Sequence, residues 1–393
     1  VESVLAAGAS AFGGTAFHAR LADVYADGAG WLLGVDAARV LASHAATDEE
    51  TGAFVRLGLA SAQQFIVESE TVGGITQSRA TLGFAGPRSG VASWLAAPAS
   101  SEALEFVSAG AQFAVSALVK RPAAMFDDLW AAISAEKGAE AAVKRAELEQ
   151  KLGFSLRDDF AAAFGGDAAF AIDGPWLPKP SWKLIVELAD AGRLDFVAAR
   201  FVEAINAEAA AHDKPGVRLS QEESDGRVYF RLATEAGVEL AYATVVDGYL
   251  VAAPSKALIV EAIAHRAAGT TLVESQAFRN RLPQDVDPDF SAMVWQNLGG
   301  TLGQLGQLLA GEAVAPELRE QLQTIAAESG PTLVVAYGES DRIGFVAQGE
   351  NGPLGFSFEK ILSILGAVAG GGADGTESVD ETPAGETPIS TSA

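Results

Sequence analysis

Three glycine-containing dipeptides constrain the fold of this chain more than any other feature of its sequence. Gly73-Gly74 lies between two segments in which apolar and polar residues alternate, and Asp225-Gly226 and Asp247-Gly248 each lie between two further segments that resemble strands. Such dipeptides supply the positive φ angles that a tight β-hairpin requires. We therefore predict three antiparallel hairpins, formed by residues 63–69 with 75–84, 217–221 with 228–233, and 239–246 with 249–253.

Helices are predicted to follow the strands at short intervals. Residues 249–253 run through Pro254 and Ser255 into residues 256–267, whose apolar residues recur at helical spacing. Residues 114–119 lead into a helix in the same way. Because hairpins interleaved with helices are typical of α+β proteins, the sequence predicts antiparallel sheets with helices packed on one face, in two similar lobes.

Composition divides the chain into five segments. Residues 1–16 are a stub of small residues, residues 17–133 form a first α+β lobe, and residues 134–152 form a helical connector rich in Ala, Glu, Lys and Arg. Residues 153–369 form a second α+β lobe, whose end is able to pack with the first. Residues 370–393 carry five acidic residues and no basic ones, which predicts a disordered tail that can be removed without unfolding the rest.

A weak internal repeat accompanies the two lobes. The dipeptide Gly-Pro at residues 86–87 recurs at residues 352–353, and each copy follows a predicted hairpin. Residues 31–36 and 292–297 repeat the order strand, polar cap, helix. A true duplication and a generic pattern of α+β proteins both account for this similarity.

Composition and charge exclude several classes of partner. Hydrophobic residues make up 49% of the chain, enough for real cores, and the formal net charge of −24 opposes binding to nucleic-acid phosphates or to an anionic bilayer. The absence of cysteine excludes disulfides, thiolate nucleophiles and cysteine-based metal sites. No segment approaches the ~18 consecutive apolar residues of a membrane span.

Residues that carry most enzyme chemistry are sparse. None of the four histidines pairs with another at the spacing that places two on one helix face. The acidic run at residues 285–289 begins as an EF-hand loop does, but Phe290 stands where that loop requires glycine. Ser134 and Lys137 have the spacing of a serine–lysine nucleophile without its companion elements. We therefore predict no catalytic residue, no cofactor and no metal site.

Two residues remain as candidate ligand contacts. Arg88 follows a Gly-Pro turn, where it could either hold an anion near a helix start or form a surface salt bridge. Trp176 lies in the turn-rich residues 173–180, where it is either an exposed contact for a carbohydrate or peptide or a core residue.

Two stretches resemble an uncharacterised bacterial family known only as a domain of unknown function, found in exported or membrane-anchored envelope proteins. Residues 154–172 combine a short helix, a Phe-Gly-Gly turn and a strand, and residues 242–282 combine Val-Asp-Gly-Tyr-Leu-Val with a Pro-Ser helix start. Residues 88–107 are similar to the Gly-Val-Ala-Ser-Trp-Leu region of some members. The resemblance implies an α+β fold and an extracytoplasmic location in the periplasm or cell envelope, and it assigns no catalytic residue.

These features together predict a non-enzymatic extracytoplasmic protein that binds or scaffolds an unknown ligand or envelope protein. The small residues at 5–16 match the remainder of a removed signal or anchor as well as they match a chance alanine-rich run. The alternative function is a hydrolase assembled from distant residues. A serine or aspartate converging with His44, His212 or a buried arginine would favour the hydrolase, and an apolar groove without titratable groups would favour lipid, peptide or partner binding.

Overall fold

The three predicted hairpins are confirmed in the structure, a computed structural model that describes residues 12–44, 48–175, 179–284, 286–297 and 330–348. All of these residues belong to the unit Val1–Gly355. The strands are β1 (Trp31–Val35), β2 (Ala62–Val72), β3 (Ile75–Phe84), β4 (Phe113–Leu118), β5 (Phe164–Ile172), β6 (Trp182–Leu188), β7 (Val217–Ser224), β8 (Arg227–Thr234), β9 (Glu239–Val246), β10 (Tyr249–Ala253), β11 (Ala292–Gln296), β12 (Thr332–Gly338) and β13 (Arg342–Gln348). The α-helices are α1 (Ala16–Ala26), α2 (Ala37–His44), α3 (Asp48–Leu57), α4 (Pro122–Lys137), α5 (Ala139–Leu152), α6 (Ala191–Ala211), α7 (Lys256–Ala268) and α8 (Gln276–Arg279).

The hairpin turns have the backbone geometry that their sequences predict. Asp225 and Gly226 have φ angles of 53° and 71°, and Asp247 and Gly248 have φ angles of 48° and 84°. Aspartate tolerates this left-handed region better than most residues because its short side chain bonds to nearby backbone. These values identify the turn type whose twist matches that of two antiparallel strands.

One antiparallel sheet contains all the described strands, which establishes an α+β fold. Its strand order is β1-β2-β3-β13-β12-β11-β4-β5-β6-β10-β9-β8-β7. The predicted connector, residues 134–152, spans the end of α4, Gly138 and α5, and strands from both sides of it pair directly, β4 with β5 and β3 with β13. Strands of both predicted lobes thus belong to one continuous sheet, and β11–β13 of the second lobe insert between β3 and β4 of the first. The predicted tail, residues 370–393, and the stub up to residue 11 lie outside the described residues.

Three parts of the sheet share one pattern. Each part consists of three strands that are consecutive in the chain, in which the first pairs with the second and the second pairs with the third. These three-strand units are β1–β3, β4–β6 and β11–β13. Two helices separate the first strand from the second in the first two units. The repeated residues 31–36 and 292–297 begin the first and third of these units, and the second Gly-Pro copy at 352–353 lies outside the described residues.

The largest hydrophobic cluster lies on one face of the sheet. Successive strand residues point to opposite faces, and we call the inner face the one that bears Ala171, Ile185, Val251 and Trp295, all less than 1% exposed. Residues of α7 and of the short helix Glu102–Phe106 pack in the same cluster. The opposite face, which bears Phe170, is called the outer face below.

Candidate functional site

The most deeply buried ion pair lies on the inner face, beside the segment that follows the short helix Glu102–Phe106. Lys183 Nζ lies 2.6 Å from Asp173 Oδ2, and the two side chains are 1% and 5% exposed. Ser108 donates to both carboxylate oxygens, through its backbone N–H at 2.8 Å and its hydroxyl at 2.5 Å. Burial raises the pKa of Asp173, but the charge of Lys183 and the hydrogen bonds from Lys183 and Ser108 outweigh burial and hold that pKa below its usual value. The group therefore fixes a loop to the sheet and does not face a substrate.

The stability that Asp173 contributes should be lost in acid. Because its folded pKa lies below the unfolded value of ~3.9, the contribution is present above that pH and disappears as the pH falls through the folded pKa. We expect the difference in free energy of unfolding between wild type and Asp173→Asn to shrink between neutral pH and about pH 3, in urea titrations at each pH. A difference that stays constant over this range would contradict the assignment.

A second buried carboxylate is bound by neutral donors. Asp167 accepts hydrogen bonds from Ser101 Oγ at 2.7 Å, the Ala103 N–H at 2.9 Å and the Tyr249 hydroxyl at 3.0 Å. Burial, and then the neighbouring Asp167 charge, raise the pKa of Tyr249. Glu187 next to this group accepts from the Gly166 and Asp167 N–H groups. Both oxygens of Asp167 and Oε2 of Glu187 thus accept hydrogen bonds from the protein itself, as in a structural anchor.

One serine lies against a lysine, as a hydrolase would require. Lys120 Nζ is 3.0 Å from Ser93 Oγ and also contacts the Asp128 carboxylate, to which Trp94 Nε1 donates at 3.1 Å. Ser93, however, donates its only hydroxyl proton to the Gly90 carbonyl at 2.7 Å. The ammonium group of Lys120 therefore donates to both neighbours and orients them, and the geometry does not present a base to the serine.

The sequence predicts that Arg88 either holds an anion or forms a surface salt bridge, and in the structure it has a third set of partners. Its guanidinium donates to the backbone carbonyl oxygens of Glu339, Ala92 (2.6 Å) and Leu95 (2.9 Å). Burial lowers the pKa of Arg88. These bonds tie the turn before the short helix Gly90–Ser93 to the β12–β13 connection, so that ligand contact by Arg88 stays a prediction. Trp176, the other candidate, lies outside the described residues.

The histidines whose side chains are described take local partners. His212 Nδ1 lies 2.9 Å from the Glu208 carbonyl oxygen, and His265 Nδ1, near the end of α7, lies 2.8 Å from Thr270 Oγ1. His18 contacts the Phe12 ring edge-on.

In the acidic run that begins as an EF-hand loop does, the Asp289 N–H donates to Asp287 Oδ1 at 3.0 Å, which is a local turn contact. Within the ranges the structure describes, no three His, Asp or Glu side chains converge as a metal site would require.

A cleft of about 630 Å³ opens between the loop that follows α8 and the ends of β3 and β13. Its apolar wall includes Ile75, Leu282 and Val286. Gln77 and Gln348, direct cross-strand partners, hold the loop: Gln77 bonds to the backbone of Gln284 and Gln348 bonds to the carbonyl oxygen of Leu282. The volume falls in the range of small-molecule sites, ~300–1,000 Å³.

The most unusual surface is the outer face of the sheet. On five neighbouring strands its side chains are all apolar: Phe113, Val115 and Ala117 on β4, Ala168, Phe170 and Ile172 on β5, Trp182, Leu184 and Val186 on β6, Leu250 and Ala252 on β10, and Ala241, Ala243 and Val245 on β9. Phe170, Leu184 and Val245 are 37%, 39% and 37% exposed. A solvated face of an antiparallel sheet is normally polar. Ile172 is only 7% exposed, and the other residues of this face are at least partly exposed. Contiguous apolar patches at a protein surface are typical of interaction sites.

Comparisons with known proteins add little to this geometry. No family model matches the sequence, and no curated protein matches it significantly. One solved structure, that of TP0453 in its crystal form I, aligns with a TM-score of 0.27 and 10% identity, covering 69% of this chain and 86% of that one. A TM-score this low supports no conclusion about fold or function. The resemblance to the envelope family therefore stays a prediction.

Among the described helices, none is both long and apolar enough to cross a bilayer.

Proposed function

We propose that this protein is a non-enzymatic binding or scaffolding protein of the bacterial cell envelope, and that the outer face is its binding surface. The observation that carries the proposal is the row of cross-strand partners Val115, Phe170 and Leu184, which are apolar and partly exposed on three adjacent strands. Exposing such side chains to water costs about 25 cal/mol per Å² of apolar surface, so covering them favours association.

The polar chemistry of the described residues supports a binding role over a hydrolytic one. Asp173 and Asp167 accept hydrogen bonds from protein donors, and the proton of Ser93 is directed at a carbonyl oxygen. None of the outer-face residues named above on the five strands carries a titratable side chain. Partner binding needs no activated nucleophile, whereas acyl transfer does.

The test compares the material that copurifies with the wild-type chain and with Leu184→Asp, using native mass spectrometry. Val260→Asp is the matched control, because Val260 is 45% exposed on α7, away from the outer face. We expect wild type and Val260→Asp to carry the same bound component, and Leu184→Asp to lose at least ten-fold of it, because an unpaired charge would be buried against the partner. Equal amounts of bound component in all three proteins would contradict the proposal.

A further inference from the structure

The outer face contains two parallel rows of side chains with complementary sizes. The first row is Val294, Val115, Phe170, Leu184, Ala252 and Ala243, which are direct cross-strand partners from β11 to β9. The second row is Ala292, Ala117, Ala168, Val186, Leu250 and Val245, two residues away on the same six strands. On every strand except β6, one row has alanine where the other has a larger apolar residue.

This arrangement is self-complementary. Consider two copies whose outer faces meet, related by a two-fold axis that lies between the two sheets. If this axis runs across the strands, midway between the two rows, the first row of one copy lies over the second row of the other. Phe170 of one copy would then lie over Ala168 of the other, and Leu250 over Ala252. Facing positions that alternate large and small side chains allow two layers to interdigitate.

We propose that a second copy of this chain packs face to face on the outer face, about such an axis. The inference rests on the proposed function, since it names the partner of the same surface. An axis across the strands keeps the strands of the two sheets nearly aligned, the usual arrangement for sheets that pack ~10 Å apart. The contact is isologous, so the same patch serves both copies and the assembly closes as a dimer.

The patch is close in size to the smaller specific protein–protein interfaces, and its composition is that of a homodimer interface. Six strands ~4.8 Å apart, with two outward positions counted on β10 and three ~6.8 Å apart on each of the other five, cover roughly 550 Å². Specific interfaces bury about 600–1,000 Å² on each partner, and those of obligate homodimers resemble a domain core cut in half.

The absence of polar side chains among the named outer-face residues of β4, β5, β6, β10 and β9 points to the same partner. A small-molecule site normally includes a few polar groups that fix the orientation of the ligand. Two copies can meet here without burying an unpaired charge, although each chain carries a net charge of −24.

The natural absence of cysteine allows a direct test by site-specific cross-linking of the full chain. Chains carrying Phe170→Cys and chains carrying Ala168→Cys are mixed in equal amounts and treated with a short bismaleimide, because thiols that face each other across sheets ~10 Å apart are too far apart for a direct disulfide. We expect the mixed pair to form a cross-linked species of twice 40.4 kDa, several-fold more than either variant alone. Val260→Cys, at an exposed position on α7, is the control and should cross-link weakly.

Sedimentation supplies the second readout, which does not depend on cross-linking. A concentration-dependent dimer is expected, and Leu184→Asp should shift it to a monomer. A monomer at all concentrations, or cross-linking of Val260→Cys as strong as that of the mixed pair, would overturn the inference. If the wild type is monomeric but Leu184→Asp still loses a bound lipid or foreign protein, only the inference fails. If Leu184→Asp changes neither mass nor bound material, the proposed function fails as well.

Discussion

Replacing Lys183 by methionine is expected to lower the free energy of unfolding by ~3–5 kcal/mol, because the substitution leaves the Asp173 carboxylate buried without its counter-charge. Methionine matches the apolar stem of lysine in length and lacks only the ammonium group at its end, so the packing of the stem changes little. The measurement is urea denaturation followed by circular dichroism at neutral pH. Lys183→Met combined with Asp173→Asn should recover much of the loss, since no isolated charge then remains.

The matched control for this experiment is Lys151→Met. Lys151 forms an ion pair of the same 2.6 Å length with Glu208, but the two side chains are 61% and 53% exposed. Exposed ion pairs contribute ~0–1 kcal/mol. If Lys183→Met costs no more than Lys151→Met, then burial of the Asp173–Lys183 pair is not what stabilises this part of the sheet.

The second large effect is expected at Trp295, which lies on the inner face of β11 and is 0% exposed. Its ring lies 5.8 Å from that of Phe278, and its Nε1 donates to the Ala111 carbonyl at 2.9 Å. Trp295→Ala should destabilise the protein by ~3–5 kcal/mol, because it opens a cavity in the core and leaves that carbonyl without its donor.

Two further variants separate these causes. Trp295→Phe retains most of the ring but removes the donor, so a smaller loss of ~1–2 kcal/mol is expected. Trp31→Ala removes the same side chain from a position that is 45% exposed, and should cost much less than Trp295→Ala. Equal losses for Trp295→Ala and Trp31→Ala in urea denaturation would contradict the assignment of Trp295 to the core.

The hairpins were predictable because their information is local. Asp225-Gly226 and Asp247-Gly248 specify a turn type, and the β-forming residues on either side specify the strands. The order of the thirteen strands that the structure describes is not local information. That β13 inserts beside β3, some 260 residues earlier in the chain, depends on pairing that no turn residue encodes.

The polar clusters were not predictable, since each one joins residues that are far apart in the sequence. Asp167 and Tyr249 are 82 positions apart, and Asp173 and Ser108 are 65 positions apart. The sequence signal that Arg88 carries, an arginine after a Gly-Pro turn, is compatible with an anion site. The structure instead directs its guanidinium at three carbonyl oxygens.

The outer face had a sequence signal, which a search for catalytic motifs does not detect. Two strands lack the alternation of apolar and polar residues that is expected of a sheet with one solvated face: β4, Phe-Ala-Val-Ser-Ala-Leu, and the end of β5, Ala-Ala-Phe-Ala-Ile. Apolar residues at both the odd and the even positions of a strand indicate that the strand is covered on both faces. The strands β9 and β10 have the same character, as Ala241, Ala243 and Leu250 show.

The rate at which a cysteine at position 184 reacts with a maleimide tests most directly whether the outer face is a binding surface. Leu184→Cys and Val260→Cys place the only thiol of the chain on residues that are 39% and 45% exposed, so their intrinsic reactivities are comparable. In extracts of the expressing cells, we expect Leu184→Cys to react at least ten-fold more slowly than Val260→Cys, and equally fast after unfolding in urea. Equal rates in the native extract would show that the outer face is free, and would contradict the account.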